Sequence, residues 1–145
     1  MKFDDKSMIR SLFCFTVIWP ATVRAVAADV LKLAHNGVTD YRIVLPIDAA
    51  PVERAAADEL VNFLKKIRGA TFPTVTDDVD TGDAEIILAR NSHLDKLGIK
   101  PEFEKLGREG YQLLTNGRHL VIAGGLWRGT INGVHGFLQN VLSCR

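Results

Sequence analysis

Cysteine is scarce in this chain of 145 residues: there are two, Cys14 and Cys144. Two cysteines cannot build a disulfide-rich scaffold. Neither sign of charge is in surplus, since 18 Lys and Arg stand against 17 Asp and Glu for a net +1. That balance lacks the basic footprint of a nucleic-acid binder. No apolar run reaches the ~20 residues of a membrane-spanning helix. The chain is also short of the ~250 residues that a (β/α) barrel requires. One ordinary domain fits, and hardly more. What is present is 47% apolar and 24% charged residues, the mixture of a globular domain rather than a disordered one.

The amino terminus changes these counts. Lys2, Lys6 and Arg10 precede the apolar run Leu12-Phe13-Cys14-Phe15-Thr16-Val17-Ile18-Trp19. Pro20 breaks the run, and Ala25-Val26-Ala27 follows. A charged segment, an apolar core and a small-x-small site make a secretory signal peptide over residues 1–27. The bulky Phe13 just before Cys14 argues against a lipid-modification site. Cleavage after Ala27 or Ala28 leaves about 118 of the 145 residues. It removes Lys2, Lys6, Arg10 and Arg24 with Asp4 and Asp5, so 14 basic residues face 15 acidic ones and the charge becomes −1. Only Cys144 is left, which excludes an internal disulfide. The expected product is secreted or periplasmic, with no membrane span after cleavage, and forms one domain over residues 28–145.

Along that domain, Val30 to Ala34 reads as a short edge strand and Tyr41 to Leu45 as a strand closed by Pro46. A helix follows. Pro51 fits its first position and Glu53 its first turn. Val52, Ala56, Leu60, Phe63, Leu64 and Ile67 recur at steps of three and four, and Gly69 is the expected stop. Phe72 to Val75 reads as an edge strand, because Pro73 cannot donate to a ladder. Ala84 to Ala89 reads as a buried strand. Ser92 is placed as the cap of a short helix through Leu97, and Pro101 to Leu106 as another short helix. Gly110 to Thr115 and Arg118 to Ala123 flank Asn116-Gly117, a strong hairpin signal. A last helix begins near Gly129, with Ile131, Val134, Leu138, Val141 and Leu142 as its stripe and His135 and Phe137 at the flanks. The order predicts an α+β, two-layer sandwich: a mixed sheet with two main amphipathic helices packed on one face.

Several constellations bear on chemistry. Gly124-Gly125-Leu126-Trp127-Arg128-Gly129-Thr130 lies between a strand and a helix, where phosphate loops sit. Thr130 stands where that motif requires lysine, so a tight turn needing small residues is the favoured reading. The acidic stretch Asp77-Asp78-Val79-Asp80-Thr81-Gly82-Asp83 lacks the glutamate that closes an EF-hand loop, and reads as a solvated loop. His35, His93, His119 and His135 have no zinc spacing; His135 reads as a packing or interface residue. Asp58, Glu59, Glu102, Glu104 and Glu109 lie in polar surroundings that would not prepare a catalytic acid. No residue is assigned a catalytic or metal-ligating role, and no cofactor is expected.

Two stretches together resemble a known family. The first is Ile43-Val44-Leu45-Pro46, then Glu53 to Leu60, then Phe63 to Ala70. The second is Gly110-Tyr111-Gln112-Leu113, Leu120 to Gly125, Arg128-Gly129-Thr130, Gly133-Val134, Phe137-Leu138 and Cys144-Arg145. They resemble the amino-terminal domain of α-glucuronidases and related secreted glycoside hydrolases, including the domain that precedes the barrel of β-N-acetylhexosaminidases. The resemblance runs from about Leu31 to Arg145. It implies a mixed sheet with two helices on one face, standing against a catalytic (β/α) barrel that holds the catalytic carboxylates. Asn132 departs from the tyrosine usual at its position, and Ser143 from glycine. The resemblance thus implies a non-catalytic accessory domain without the barrel, whose partner is a catalytic barrel domain or a glycan. The alternative is a stand-alone carbohydrate-binding module. Trp127 with Arg128 is then the favoured sugar contact, and Tyr41, Tyr111 and Phe72 are further aromatic candidates.

Overall fold

The structure is a computed structural model that describes residues 31–142, with Val141 described by its backbone alone. The expected signal peptide, Cys14 and Cys144 lie outside the described residues. The elements run β1 (Arg42–Leu45), α1 (Pro51–Arg68), β2 (Thr74–Thr76), β3 (Glu85–Leu88), α2 (Ser92–Lys96), α3 (Phe103–Leu106), β4 (Tyr111–Asn116), β5 (His119–Gly124) and α4 (Gly129–Gly136). A π-helical turn, Phe137–Val141, extends α4. The strands form one sheet in the order β2-β1-β3-β5-β4. β1 pairs in parallel with β2 and β3, β3 pairs in parallel with β5, and β4 closes the edge as an antiparallel hairpin with β5. This is the α+β, mixed-sheet architecture expected from the order of elements.

Local chemistry sets these boundaries. β3 lies between two parallel neighbours, and all four of its residues are buried, which accounts for its apolar Ile-Ile-Leu run. In α1 the Glu53 carboxylate reaches back to accept the Ala50 N–H at 2.8 Å, tying down the first turn. At the other end Gly69 adopts φ 69° and donates to the Lys65 carbonyl. The strands alternate between two apolar clusters, as their period of two requires. Ile43, Leu45, Ile86, Leu88, Leu120 and Ile122 face the main core with Ala56, Leu60 and Leu64 of α1 and Val134 of α4. Ile87, Val121 and Ala123 face the opposite side, where Leu94 of α2 and Ile99 complete a smaller cluster. The two long helices therefore share one face, and the short helices α2 and α3 partly cover the other.

Four local expectations need correction. Residues 31–34 are not a strand: Asn36 and Gly37, at φ 49° and 76°, turn the chain sharply, and only His35 and Val38 form a bridge. The cap of α2 is Asn91, whose side chain accepts the His93 N–H at 2.9 Å, while Ser92 is already helical. In the hairpin Asn116 pairs with His119, so the loop residues are Gly117 and Arg118. Gly117 supplies the positive φ of 56° at the first loop position, as a type II′ turn demands. Finally, Phe137 and Leu138 are both buried in the core. Phe137 stands three residues after the buried Val134 and belongs on the helical stripe beside Leu138 rather than at its flank.

Candidate functional site

The glycine-rich turn after β5 owes its composition to packing. Gly125 donates to the Gly110 carbonyl at 2.8 Å, Leu126 to Gly107 at 3.1 Å, and Trp127 to Arg108 at 2.9 Å. These bonds lay the turn directly on the loop between α3 and β4. A Cβ on Gly124 would overlap the Thr130 amide, and one on Gly129 would overlap the Gly110 carbonyl. Close backbone approach therefore explains both glycines. The turn's amides at Gly125, Leu126, Trp127 and Arg128 all donate to carbonyls of the facing loop, so they do not converge on an anion.

This packing projects Leu126 and Trp127 outward, at 86% and 60% exposure. The Arg108 guanidinium lies 3.5 Å from the centre of the Trp127 ring, a stacked cation–π contact. One indole face is thus occupied, while the residue as a whole stays exposed. Arg128 is exposed beside it and makes no ion pair with any described residue. The other aromatic candidates divide. Tyr41 and Phe72 are buried in the core and cannot meet a ligand. Tyr111 is 38% exposed and leans on the small residues Gly133 and Gly136 of α4.

A concavity of about 820 Å³ lies between α1 and α4, lined by Glu59, Asn62, Phe63, Lys66, His135 and Gln139 among others. His135 is not packed in the core: its Nε2 lies 2.5 Å from Glu59 Oε2, and both side chains are nearly half exposed. Phe63, expected on the buried stripe of α1, is 40% exposed in this groove. Ala57 takes its place in the core beside Ala56, Leu60 and Leu64.

Of the carboxylates weighed from the sequence, Glu102 pairs with Lys105, Glu104 with Arg90, and Glu59 with His135, all at partly or fully exposed positions. The carboxylate that matters most to the fold was missed. Glu85, at the start of β3, is fully buried. Its Oε1 accepts from Gly82 N at 2.8 Å and from Arg42 Nε and Nη2 at 2.9 and 2.7 Å, while Oε2 lies 3.0 Å from His93 Nδ1. Burial alone would raise its pKa. The Gly82 amide, His93 and Arg42 outweigh burial and hold the carboxyl below its ordinary range. A carboxyl so held stays ionised at neutral pH and serves as an acceptor, the reverse of the proton-loaded acid that glycoside cleavage needs. Only one signal in the sequence could have found it, namely a lone acid opening an apolar run.

The acidic loop is likewise used structurally. Asp77 Oδ1 accepts from Ile47 N at 2.9 Å, and Oδ2 accepts from Ser92 N at 2.7 Å. Burial opposes ionisation here too, but the Ser92 and Ile47 amides prevail and its pKa is lowered. Among the described residues no group of three or more His, Cys, Asp or Glu is placed to hold a metal ion.

No protein-family model matches the chain, and no curated protein matches it. A solved structure does: a family GH115 4-O-methyl-α-glucuronidase with specificity for decorated arabinogalactans. It superposes with a TM-score of 0.58 at 24% identity, covering 77% of this chain and 14% of that one. The chain therefore shares its fold with a small part of a large glycoside hydrolase.

Proposed function

We propose that this chain is the non-catalytic amino-terminal accessory domain of a secreted, carbohydrate-active protein of the glycoside hydrolase type. Its role is to support or dock a catalytic (β/α) barrel. The observation that carries this reading is the shared fold with 14% of a GH115 glucuronidase, a share the size of one accessory domain. Two features agree with it. Of the accessible carboxylates, Glu102, Glu104 and Glu59 are held in surface ion pairs with Lys105, Arg90 and His135. Glu85, the buried carboxylate among the described residues, is fully enclosed and paired with Arg42 and His93. Purified chain assayed on aryl glucuronides and aryl N-acetylglucosaminides is expected to give no turnover, and robust hydrolysis by the chain alone would refute the reading.

A second reading, a stand-alone carbohydrate-binding module, is favoured by the exposed Trp127 beside the exposed Arg128. Sugar rings stack on aromatic faces through their C–H groups. Titration with xylo- or chito-oligosaccharides would then shift the tryptophan fluorescence, and Trp127→Ala would abolish the shift. An unchanged spectrum at millimolar sugar removes this reading.

A further inference from the structure

We propose that the loop over residues 77–83 is latched onto the sheet by a protonated His93, closing while this ring carries both protons and letting go at Val79 as it loses one. The sequence places three cation-forming residues around this loop from three separate elements. Arg42 of β1, Glu85 of β3 and His119 of β5 stand in register across the sheet. Strand alternation puts all three on the face opposite the main core, and His93 of α2 reaches in beside them.

Each of the three cations takes one backbone carbonyl of the loop. His93 Nε2 lies 2.8 Å from Val79 O, Arg42 Nη2 donates to Asp80 O, and His119 Nε2 lies 3.0 Å from Gly82 O. The second ring nitrogen of each histidine also faces an acceptor. His93 Nδ1 meets the Glu85 carboxylate at 3.0 Å, and His119 Nδ1 meets Asn116 O at 3.2 Å. Carboxylate and carbonyl oxygens cannot donate. A neutral imidazole has one N–H and one bare nitrogen, so it can satisfy only one of its two partners. Both contacts of each ring require the imidazolium.

The surroundings supply the compensating charge. His93 is fully buried and faces Glu85 from β3, with Arg42 of β1 on the far side of that carboxylate. The Asp77 carboxylate acts on His93 from the loop. His119 is half-buried beside the same register row. Asp78, Asp80 and Asp83 of the loop are exposed and add negative potential close by. When a ring loses its proton, the stronger partner of His93 is the ionised Glu85, which retains the Nδ1–H. The bare Nε2 then faces the Val79 carbonyl lone pairs, and that loop contact is lost. A neutral His119 keeps one N–H, which the nearer Gly82 carbonyl takes at 3.0 Å, and the Arg42 guanidinium stays charged and keeps its carbonyl, so the loop loosens at one of its three points. At acid pH the opposite limit is set by protonation of Glu85, which removes the negative charge that Arg42 and His93 share.

The test follows the ring nitrogens of His93 and His119 and the backbone amides by nuclear magnetic resonance across a pH titration of the full chain. The Gly82 amide reports docking, because it donates to Glu85. The latch predicts that both ring nitrogens of His93 carry protons while the loop is docked. As this ring titrates, the hydrogen-exchange protection factors of the loop amides fall with the same midpoint, by roughly five- to tenfold, the equivalent of one lost hydrogen bond. Amides of β1 and β5 keep their protection. His93→Gln flattens this pH response. A bare ring nitrogen on His93 under a docked loop overturns the proposal. So does a loop that ignores the titration, and so does an equal loss of protection over the whole sheet. The wild-type titration decides the question even where a variant fails to fold.

Discussion

Glu85 concentrates the physical chemistry of this chain into one side chain. A buried carboxylate is tolerated only when its charge is matched and its lone pairs are filled. Arg42, His93 and the Gly82 amide do both. Removing the acid leaves Arg42 and His93 without their counter-ion, so Glu85→Ala is expected to lower unfolding stability by about 3–5 kcal/mol in denaturant titrations. Glu85→Gln keeps the shape but loses the charge, and adds an exact sign for pH. The folded carboxyl sits below its ordinary value of 4.5, so the folded state binds fewer protons than the unfolded state just below that pH. Its contribution is complete above about pH 5 and fades as the pH falls through the folded value. Between about pH 5 and about pH 3, wild type should therefore lose more stability than Glu85→Gln. Equal acid sensitivity of the two would contradict this assignment. Asp77, also lowered, adds to the same acid loss in both proteins and leaves the difference intact. Neither role was legible in the sequence. Glu85 reads as one polar letter in a strand, and its partners lie 43 positions before it and eight after it.

At the scale of elements, the sequence is most readable where a single period governs. The helix from Pro51 to Arg68 announces its start, its stop and its four-residue spacing, and α1 has those bounds. The width of its buried stripe is set by tertiary packing. Leu60 is wholly enclosed, whereas Phe63 opens onto the groove toward His135. Leu60→Ala should cost about 2–5 kcal/mol. Phe63→Ala should cost clearly less, because that ring is already 40% exposed; a larger loss at Phe63 than at Leu60 would reverse the assigned faces. The turn from β5 to α4 was legible as a tight turn from its glycines, but its counterpart was not. The segment it packs on, Gly107 to Gly110, belongs to another loop. Gly124→Ala is predicted to destabilise by about 1–3 kcal/mol, as overpacking does, read as a fall in thermal midpoint. A neutral result would mean that the turn is not held against α4. The early chain reversal at Asn36-Gly37 and the π-turn at Phe137–Val141 escaped periodicity for a common reason. Each breaks the local period within a few residues.

At the scale of the whole molecule, two long helices cover one face of a mixed sheet, and two short helices partly cover the other. The groove between α1 and α4 and the exposed Leu126–Trp127 pair lie on different parts of this fold. The fold class followed from the order of elements, because strand, helix and hairpin signals each depend on nearby residues. What the domain serves does not follow from order alone, since one fold hosts many functions. The proposed answer is attachment to a catalytic barrel, and it rests on the fold shared with a small part of a GH115 glucuronidase. The most direct test is to sequence the native gene beyond the codon for Arg145. The account predicts a (β/α) barrel of glycoside hydrolase type encoded there, in frame or after a frameshift. An unrelated gene following a genuine stop would contradict it and leave the stand-alone binding module in its place.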